Sequence, residues 1–178
     1  MTTRRSATIR PAAEHDAPAI AEIYNQGIED RSATFETRLR EADEVAGWVG
    51  DGLPAIVAAD EEGRVIGFAR AAPYSDRCVY AGVAEHGVYV AREARGQGIA
   101  RRLLEDLAAA CASAGLYKLT SRVFADNGAS RAAHRAAGFR EVGIQHRHGR
   151  LDGEWKDCVL VERLIGEAAT DGEPAAPL

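Results

Sequence analysis

Cysteine is scarce in this chain and badly placed for cross-linking: Cys78, Cys111 and Cys158 are odd in number and far apart, with no C-x-x-C pair. A disulfide framework and a thiolate metal centre are excluded as organising devices. The three thiols are expected to be small buried hydrophobes in a reducing cytoplasm. Long apolar runs are also missing; none approaches the roughly 20 residues that a membrane-spanning helix needs. The opening MTTRRSATIRP carries arginines but no apolar segment, so it does not read as a secretion signal. Positive charge is not in excess. A net charge of −5 argues against a general nucleic-acid or membrane-surface binder. No G-x-x-x-x-G-K-[ST] is present and no G-x-G-x-x-G follows an early strand, which removes the common nucleotide loops. There is no internal repeat and no linker. The 178 residues suit one domain, expected over 1–165, with the Ala, Gly, Pro and acid-rich 166–178 as a disordered tail.

What is present concentrates between Glu85 and Arg102, EHGVYVAREARGQGIARR. A short β-type run through Val88, Tyr89 and Val90 passes through a charged turn into Arg95, Gly96, Gln97, Gly98, Ile99 and Ala100, where a helix opens. Helix N-termini leave backbone N–H groups without acceptors and carry the positive end of the dipole. Glycines there admit a bulky phosphate. Arg92, Arg95, Arg101 and Arg102 surround the turn as guanidinium donors. The stretch is expected to cradle a pyrophosphate.

Periodicity places the other elements. Strands are expected at 8–11, 54–59, 65–72, 78–90 (bulged near Gly82 or Glu85), 116–124, 140–146 and 155–164, the last two joined around 149–153. Helices are expected over 17–29, with Asp16 as N-cap, and over 42–48, 99–115 and 129–137. Leu103, Leu104, Leu107, Ala108 and Cys111 fall on one stripe of the third. The order implies an α/β fold with a mixed, mostly antiparallel sheet and helices on both faces.

Several side chains carry chemistry. Glu85, entering the sheet beside the turn, is a general-base candidate if buried and an edge charge if not. His134 is a proton donor or a packed helix histidine. Phe35 is a core plug or a pocket wall. Arg77, then Arg70 and Arg150, can pair anions or lie solvated. His146 and His148 lack a third ligand at metal spacing, so no metal is expected.

The [RQ]-x-x-G-x-[GA] pattern from Arg95 to Ala100, set directly after a Val-Tyr-Val strand, resembles the acetyl-CoA signature of the GNAT N-acetyltransferase superfamily. The segment Asn127-Gly128-Ala129-Ser130, with His134 and Gly138-Phe139, resembles its N-x-x-[AS]…GF segment, although many members carry tyrosine at the position of His134. Over 9–164 the resemblance implies the GNAT fold, with the sheet splayed at the 85–90 strand. It also implies acetyl-CoA as co-substrate, held by Val88, Tyr89, Val90, Arg95, Gly96, Gln97, Gly98, Ile99, Ala100, Arg101, Asn127 and Ser130.

Further resemblance lies in Ile23 to Thr37, in Val79-Tyr80, in Glu85 to Val90 and in Gly153-Glu154-Trp155-Lys156-Asp157. These segments are similar to the phosphinothricin, methionine sulfoximine and arsinothricin N-acetyltransferases. That group implies acetylation of the α-amine of a small glutamate analogue, with catalysis by Glu85 and His134 and substrate contacts from Phe35, Arg77, Tyr80 and Glu85. It implies a cytoplasmic homodimer with no nucleic-acid or membrane partner. Polyamine or protein N-terminal acetylation and a non-catalytic acyl-CoA sensor are the rival readings.

Overall fold

A computed structural model describes residues 7–169. The described chain runs β1 (Thr8–Pro11), α1 (Ala17–Glu29), α2 (Ala42–Val49), β2 (Ala55–Ala59), β3 (Val65–Pro73), β4 (Val83–Val90), α3 (Ile99–Ser113), β5 (Lys118–Phe124), α4 (Gly128–Ala136), β6 (Arg140–Leu151) and β7 (Glu154–Leu164). The strands form one sheet in the order β1-β2-β3-β4-β5-β7-β6. Every neighbouring pair is antiparallel except β4 and β5.

Side-chain alternation assigns the helices to opposite faces. On β3, Phe68 stacks on Tyr89 of β4, with ring centroids 5.4 Å apart. Tyr24 of α1 meets Tyr89 edge-on at 4.9 Å and Trp48 of α2 at 5.1 Å. The next residue along, Gly67, points the other way, and a Cβ there would lie 3.1 Å from Leu103 of α3. Thus α1 and α2 cover one face and α3 the other. The expected stripe on α3 is the centre of the core: Leu103, Leu104, Leu107, Ala108 and Cys111 are all buried. Each fully buried leucine contributes about 1.5–3 kcal/mol through removal of apolar surface from water.

The feature that positions the site is a failure of pairing. β4 meets β5 only at Val83↔Lys118, Ala84↔Leu119 and Glu85↔Thr120. Beyond Glu85, β3 holds β4 through Val90 while β7 holds β5 through Phe124. Tied to different partners, the two strands diverge and open a cleft between them.

Some expectations require correction. Residues 78–82 are not strand: the Tyr80 and Ala81 N–H groups close a 3-10 turn on the Arg77 and Cys78 carbonyls. Gly82 lies so close under Tyr117 that a Cβ would fall 2.1 Å from its ring. The β3–β4 register runs without a shift, so the expected bulge at Gly82 or Glu85 is absent. The closing hairpin is longer than expected. β6 continues to Leu151, and the turn contracts to Asp152 and Gly153, both at positive φ, with a register shift between Gln145 and Gly149. Asp16 occupies the expected N-cap position of α1, but its side chain makes no cap hydrogen bond to the helix. It ends a 3-10 turn, Glu14–Asp16, and its carboxylate accepts the Ala13 N–H at 2.8 Å and the Arg10 guanidinium at 2.7 Å. Of the expected tail, Gly166–Ala169 form a 3-10 turn; residues 170–178 lie outside the described residues. Among the described residues no helix is long and apolar enough to cross a membrane.

Candidate active site

The cleft between β4 and β5 encloses a cavity of about 630 Å³ that runs from the head of α3 to α4. That volume suits a drug-sized or cofactor-sized ligand. Its far end is the glycine turn. Gly96 and Gly98 sit at φ 75° and 80°, a left-handed backbone that L side chains rarely adopt. The first helical hydrogen bond runs from the Arg102 N–H to the Gly98 carbonyl at 3.3 Å, so the N–H groups before it lack helical acceptors. Gly96, Gly98, Ile99, Ala100, Arg95 and Arg101 all line this end. Gln97 instead turns its Nε2 to the Glu93 carbonyl at 3.3 Å.

Only two of the four expected arginines, Arg95 and Arg101, border the cavity, and the turn is fastened to the end of α1. Arg92 pairs with Glu29 and Asp30, each at 2.8 Å, and Arg95 reaches Asp30 at 2.7 Å. The Arg92 guanidinium, supported by Arg95, holds the Asp30 carboxyl below the usual carboxylate range. Arg102 donates to the Ala7 carbonyl.

The middle of the cavity is strand backbone. The Ala91 N–H donates to Ile66 across the β3 side, so alternation turns the peptide groups of Val88 and Val90 into the cleft. The Val90 carbonyl is taken by Arg95 Nε at 3.0 Å. Tyr89 projects to the α1 face, where burial raises its phenol above the usual range.

The near end is a buried histidine pair. His86 and His134 are 7% and 3% exposed, both line the cavity, and both pack on Phe139. Their Nε2 atoms are 3.0 Å apart. His134 Nδ1 is 2.8 Å from the Ser130 carbonyl, which can only accept, so that nitrogen carries the hydrogen. Neutral His134 then offers a lone pair at Nε2, and His86 donates to it from its own Nε2. His86 Nδ1 is left as a buried acceptor without a hydrogen-bond partner. Burial, and secondarily the charge of His134, push His86 down to about 3; the Thr120 backbone opposes this only weakly. Burial also lowers His134, against the pull of the Ser130 carbonyl. Both rings are therefore neutral at pH 7.

Asn127 caps α4: its Oδ1 accepts the Ser130 N–H at 3.0 Å, while its Nδ2 donates to the Ser32 carbonyl at 3.0 Å. The asparagine thus joins α4 to the loop that follows α1, and both residues border the cavity.

The expected base and substrate residues are not among those that line the cavity. Glu85 is on the opposite face of β4 from His86 and is not buried: its side chain is 44% exposed and pairs with Arg122 of β5 at 3.2 Å. Phe35 packs edge-on against Phe124, 4.8 Å between centroids, plugging the outside of a cavity wall. Arg77 lies over the Tyr80 ring at 5.5 Å, on the 3-10 turn before β4. Arg70 lies over Trp48 at 4.6 Å and Arg150 over Trp155 at 4.2 Å. None of these lines the cavity. His146 is bonded to Asp157 at 3.0 Å, and among the described residues no three His, Cys, Asp or Glu side chains converge as metal ligands.

Sequence reasoning missed His86 and Arg122. Period-two alternation from Ala84 puts His86 on the face that α4 covers. An arginine in the middle of the otherwise strand-like KLTSRVF was the second signal.

A profile of the acetyltransferase (GNAT) family matches residues 18–139. The phosphinothricin N-acetyltransferase of Alcaligenes faecalis is 34% identical over 172 residues, covering 94% of this chain and 87% of that one. The L-methionine sulfoximine/L-methionine sulfone acetyltransferase of Pseudomonas aeruginosa is 30% identical over 171 residues, covering 88% and 94%. The crystal structure of a GNAT superfamily phosphinothricin acetyltransferase from Sinorhizobium meliloti in complex with AcCoA superposes with a TM-score of 0.86 at 34% identity, covering 95% of this chain and 93% of that one.

Proposed function

The chain belongs to the acetyltransferase (GNAT) family, and from that premise we propose that it detoxifies a glutamate-analogue antibiotic by acetylating the α-amine. The coarser activity, acetyl-CoA-dependent N-acetyl transfer of the phosphinothricin and methionine sulfoximine type, stands on the two curated relatives and the AcCoA complex. The observation that carries the reading is the single cavity joining the glycine cradle of α3 to the cleft between β4 and β5. One end suits the phosphates of the co-substrate, and the cleft suits its extended arm.

Acetyl-CoA supplies a thioester, an acyl group already activated toward amines. The residues do the rest. Gly96, Gly98 and the first turn of α3 bind phosphate through backbone N–H groups. Val88 and Val90 present N–H groups to the cleft and polarise a carbonyl there. Glu85, half exposed at the mouth, takes the ammonium proton directly or through one water. His134, with both ring nitrogens engaged, holds the wall rather than donating a proton. The amine protected is that of an amino acid bearing a tetrahedral oxyanion on its side chain, phosphinothricin or arsinothricin, and removing its charge is the basis of resistance. The enzyme works in the cytoplasm, where acetyl-CoA is made and used. It works as a homodimer, for which exposed Val142, Ile144 and Trp155 on the β6–β7 hairpin offer an apolar face.

CoA-thiol release from acetyl-CoA, measured against arsinothricin, phosphinothricin, methionine sulfoximine, spermidine and a short peptide, tests this. Turnover restricted to the three amino-acid analogues is expected, and their kcat/KM order names the substrate. Turnover only with spermidine or peptide discards the substrate reading. Binding of acetyl-CoA without any turnover makes the protein a sensor. Sedimentation gives the oligomeric state.

A further inference from the structure

The cleft carries one pair of opposite charges at its mouth. Glu85 occupies the last paired position of β4, and Arg122 lies two residues past its partner Thr120, on the same face of β5. Arg122 Nη1 is 3.2 Å from Glu85 Oε1, and Arg122 Nε donates to Gln145 Oε1 at 3.1 Å. Both charged side chains keep about two-fifths of their surface open to solvent. The guanidinium has five N–H groups, of which these contacts use two, so Nη2 has no protein acceptor among the described residues.

The other candidate arginines are occupied or remote. Arg95 and Arg101 border the cavity at its glycine end. Arg70, Arg77 and Arg150 each lie over an aromatic ring, outside the lining. Arg122 is the arginine that lines the reactive end, between Ser121 and Val123.

The geometry points to Glu85 and Arg122 as a reader of the α-amino-carboxylate unit, with Arg122 holding the substrate α-carboxylate while Glu85 receives the α-ammonium. This rests on the acetyltransferase reading above and names how its substrate class is recognised. In an α-amino acid the ammonium nitrogen and the carboxylate carbon are about 2.5 Å apart, two bonds through Cα. A zwitterion of that span fits against an anion and a cation separated by one hydrogen-bond length, ammonium to Glu85 and carboxylate to the fork of Arg122. Gln145 holds the guanidinium plane while it does so. The amine is then fixed at the carboxylate that deprotonates it and at the mouth of the cleft where the thioester lies. A polyamine or any amine without an adjacent carboxylate leaves Arg122 unmatched and is discriminated against.

The test compares phosphinothricin with its decarboxylated amine, which keeps the phosphinate head and loses only the α-carboxylate, in wild type, Arg122→Gln, Arg122→Lys and Arg77→Gln. Loss of a charge-assisted pair is expected to lower wild-type kcat/KM for the decarboxylated amine by about 10- to 100-fold. In Arg122→Gln the two substrates should converge, because the intact substrate loses its advantage and the amine loses nothing. Arg122→Lys should keep part of the discrimination, and Arg77→Gln all of it. The assignment is overturned if Arg122→Gln and Arg122→Lys slow both substrates by the same factor, or if Arg77→Gln is the variant in which they converge. Absence of CoA-thiol release by wild type with every amine overturns instead the acetyltransferase reading beneath it.

Discussion

The Nε2 atoms of His86 and His134 face one another at 3.0 Å, and the Ser130 carbonyl beyond His134 decides which of them bears the hydrogen. With His134 protonated at Nδ1 and His86 at Nε2, neither ring has an N–H to give to a leaving thiolate. Nitrogen-15 spectra of histidine-labelled protein should show two neutral rings of opposite tautomer at pH 7, with the His86 ring not titrating between pH 6 and 8. A ring charged at pH 7, or the reverse tautomers, would restore His134 as an acid.

The same pair makes folding sensitive to acid. Both histidines have lowered values in the fold, with His86 pushed down to about 3. Between that and the ordinary histidine value of about 6.5 the unfolded chain binds more protons than the folded one. Their contribution is therefore complete above about 6.5 and is lost as pH falls. Urea midpoints should drop from pH 6.5 to 5, before the carboxylates titrate, with a slope of up to about 1.4 kcal/mol per pH unit for His86. His86→Phe should flatten that slope.

Removing the carboxylate at the cleft mouth should separate chemistry from cofactor binding. Glu85→Gln is expected to lower kcat by about 10²- to 10⁴-fold, the usual contribution of a general base. Calorimetric affinity for acetyl-CoA should stay near wild type, since Glu85 does not line the cavity. Wild-type turnover in the variant excludes Glu85 as base.

Gly98 has open space around it, so only its backbone angle demands glycine. Gly98→Ala should lower stability by about 1–2 kcal/mol through the left-handed strain. It should also weaken acetyl-CoA binding about tenfold or more by disturbing the N–H groups at the head of α3. Unchanged affinity in equilibrium dialysis would move the phosphate site elsewhere.

Gly27 constrains a different wall. A Cβ there would sit 2.9 Å from the ring of Tyr89, a residue of the cavity lining, as is Gly27 itself. Gly27→Ala should force that ring to shift, at about 1–3 kcal/mol of overpacking, and raise KM for acetyl-CoA more than it lowers kcat. A rise in melting temperature, as expected for alanine at an uncrowded helix position, would show that the ring gives way freely.

The fold was legible wherever one pattern dominated. The bounds of α1 were read without error, and the buried stripe of α3 followed from spacing alone. What escaped depended on partners distant in sequence. Residues 78–82 look like strand, yet the Tyr117 ring lies against Gly82 and a 3-10 turn forms instead. The cradle was legible because glycine and a helix start are local signals. Glu85 could be read as buried or exposed until Arg122 and Gln145, 37 and 60 residues along the chain, were seen beside it. His86 has significance only through His134, which a different helix brings to it.

The three residue pairs that join β4 to β5 leave the sheet as two blocks with a short seam. β1 to β4 and β5 to β7 each carry their own hydrogen-bond ladder, and the cavity occupies the length over which they share none. A ligand lying there acts as a surrogate strand, closing backbone contacts the polypeptide leaves open. The enzyme should consequently be a looser body when empty than when charged. Its resistance to heat and proteolysis would then track the acetyl-CoA supply, by about 2.7 kcal/mol at a hundredfold excess over Kd.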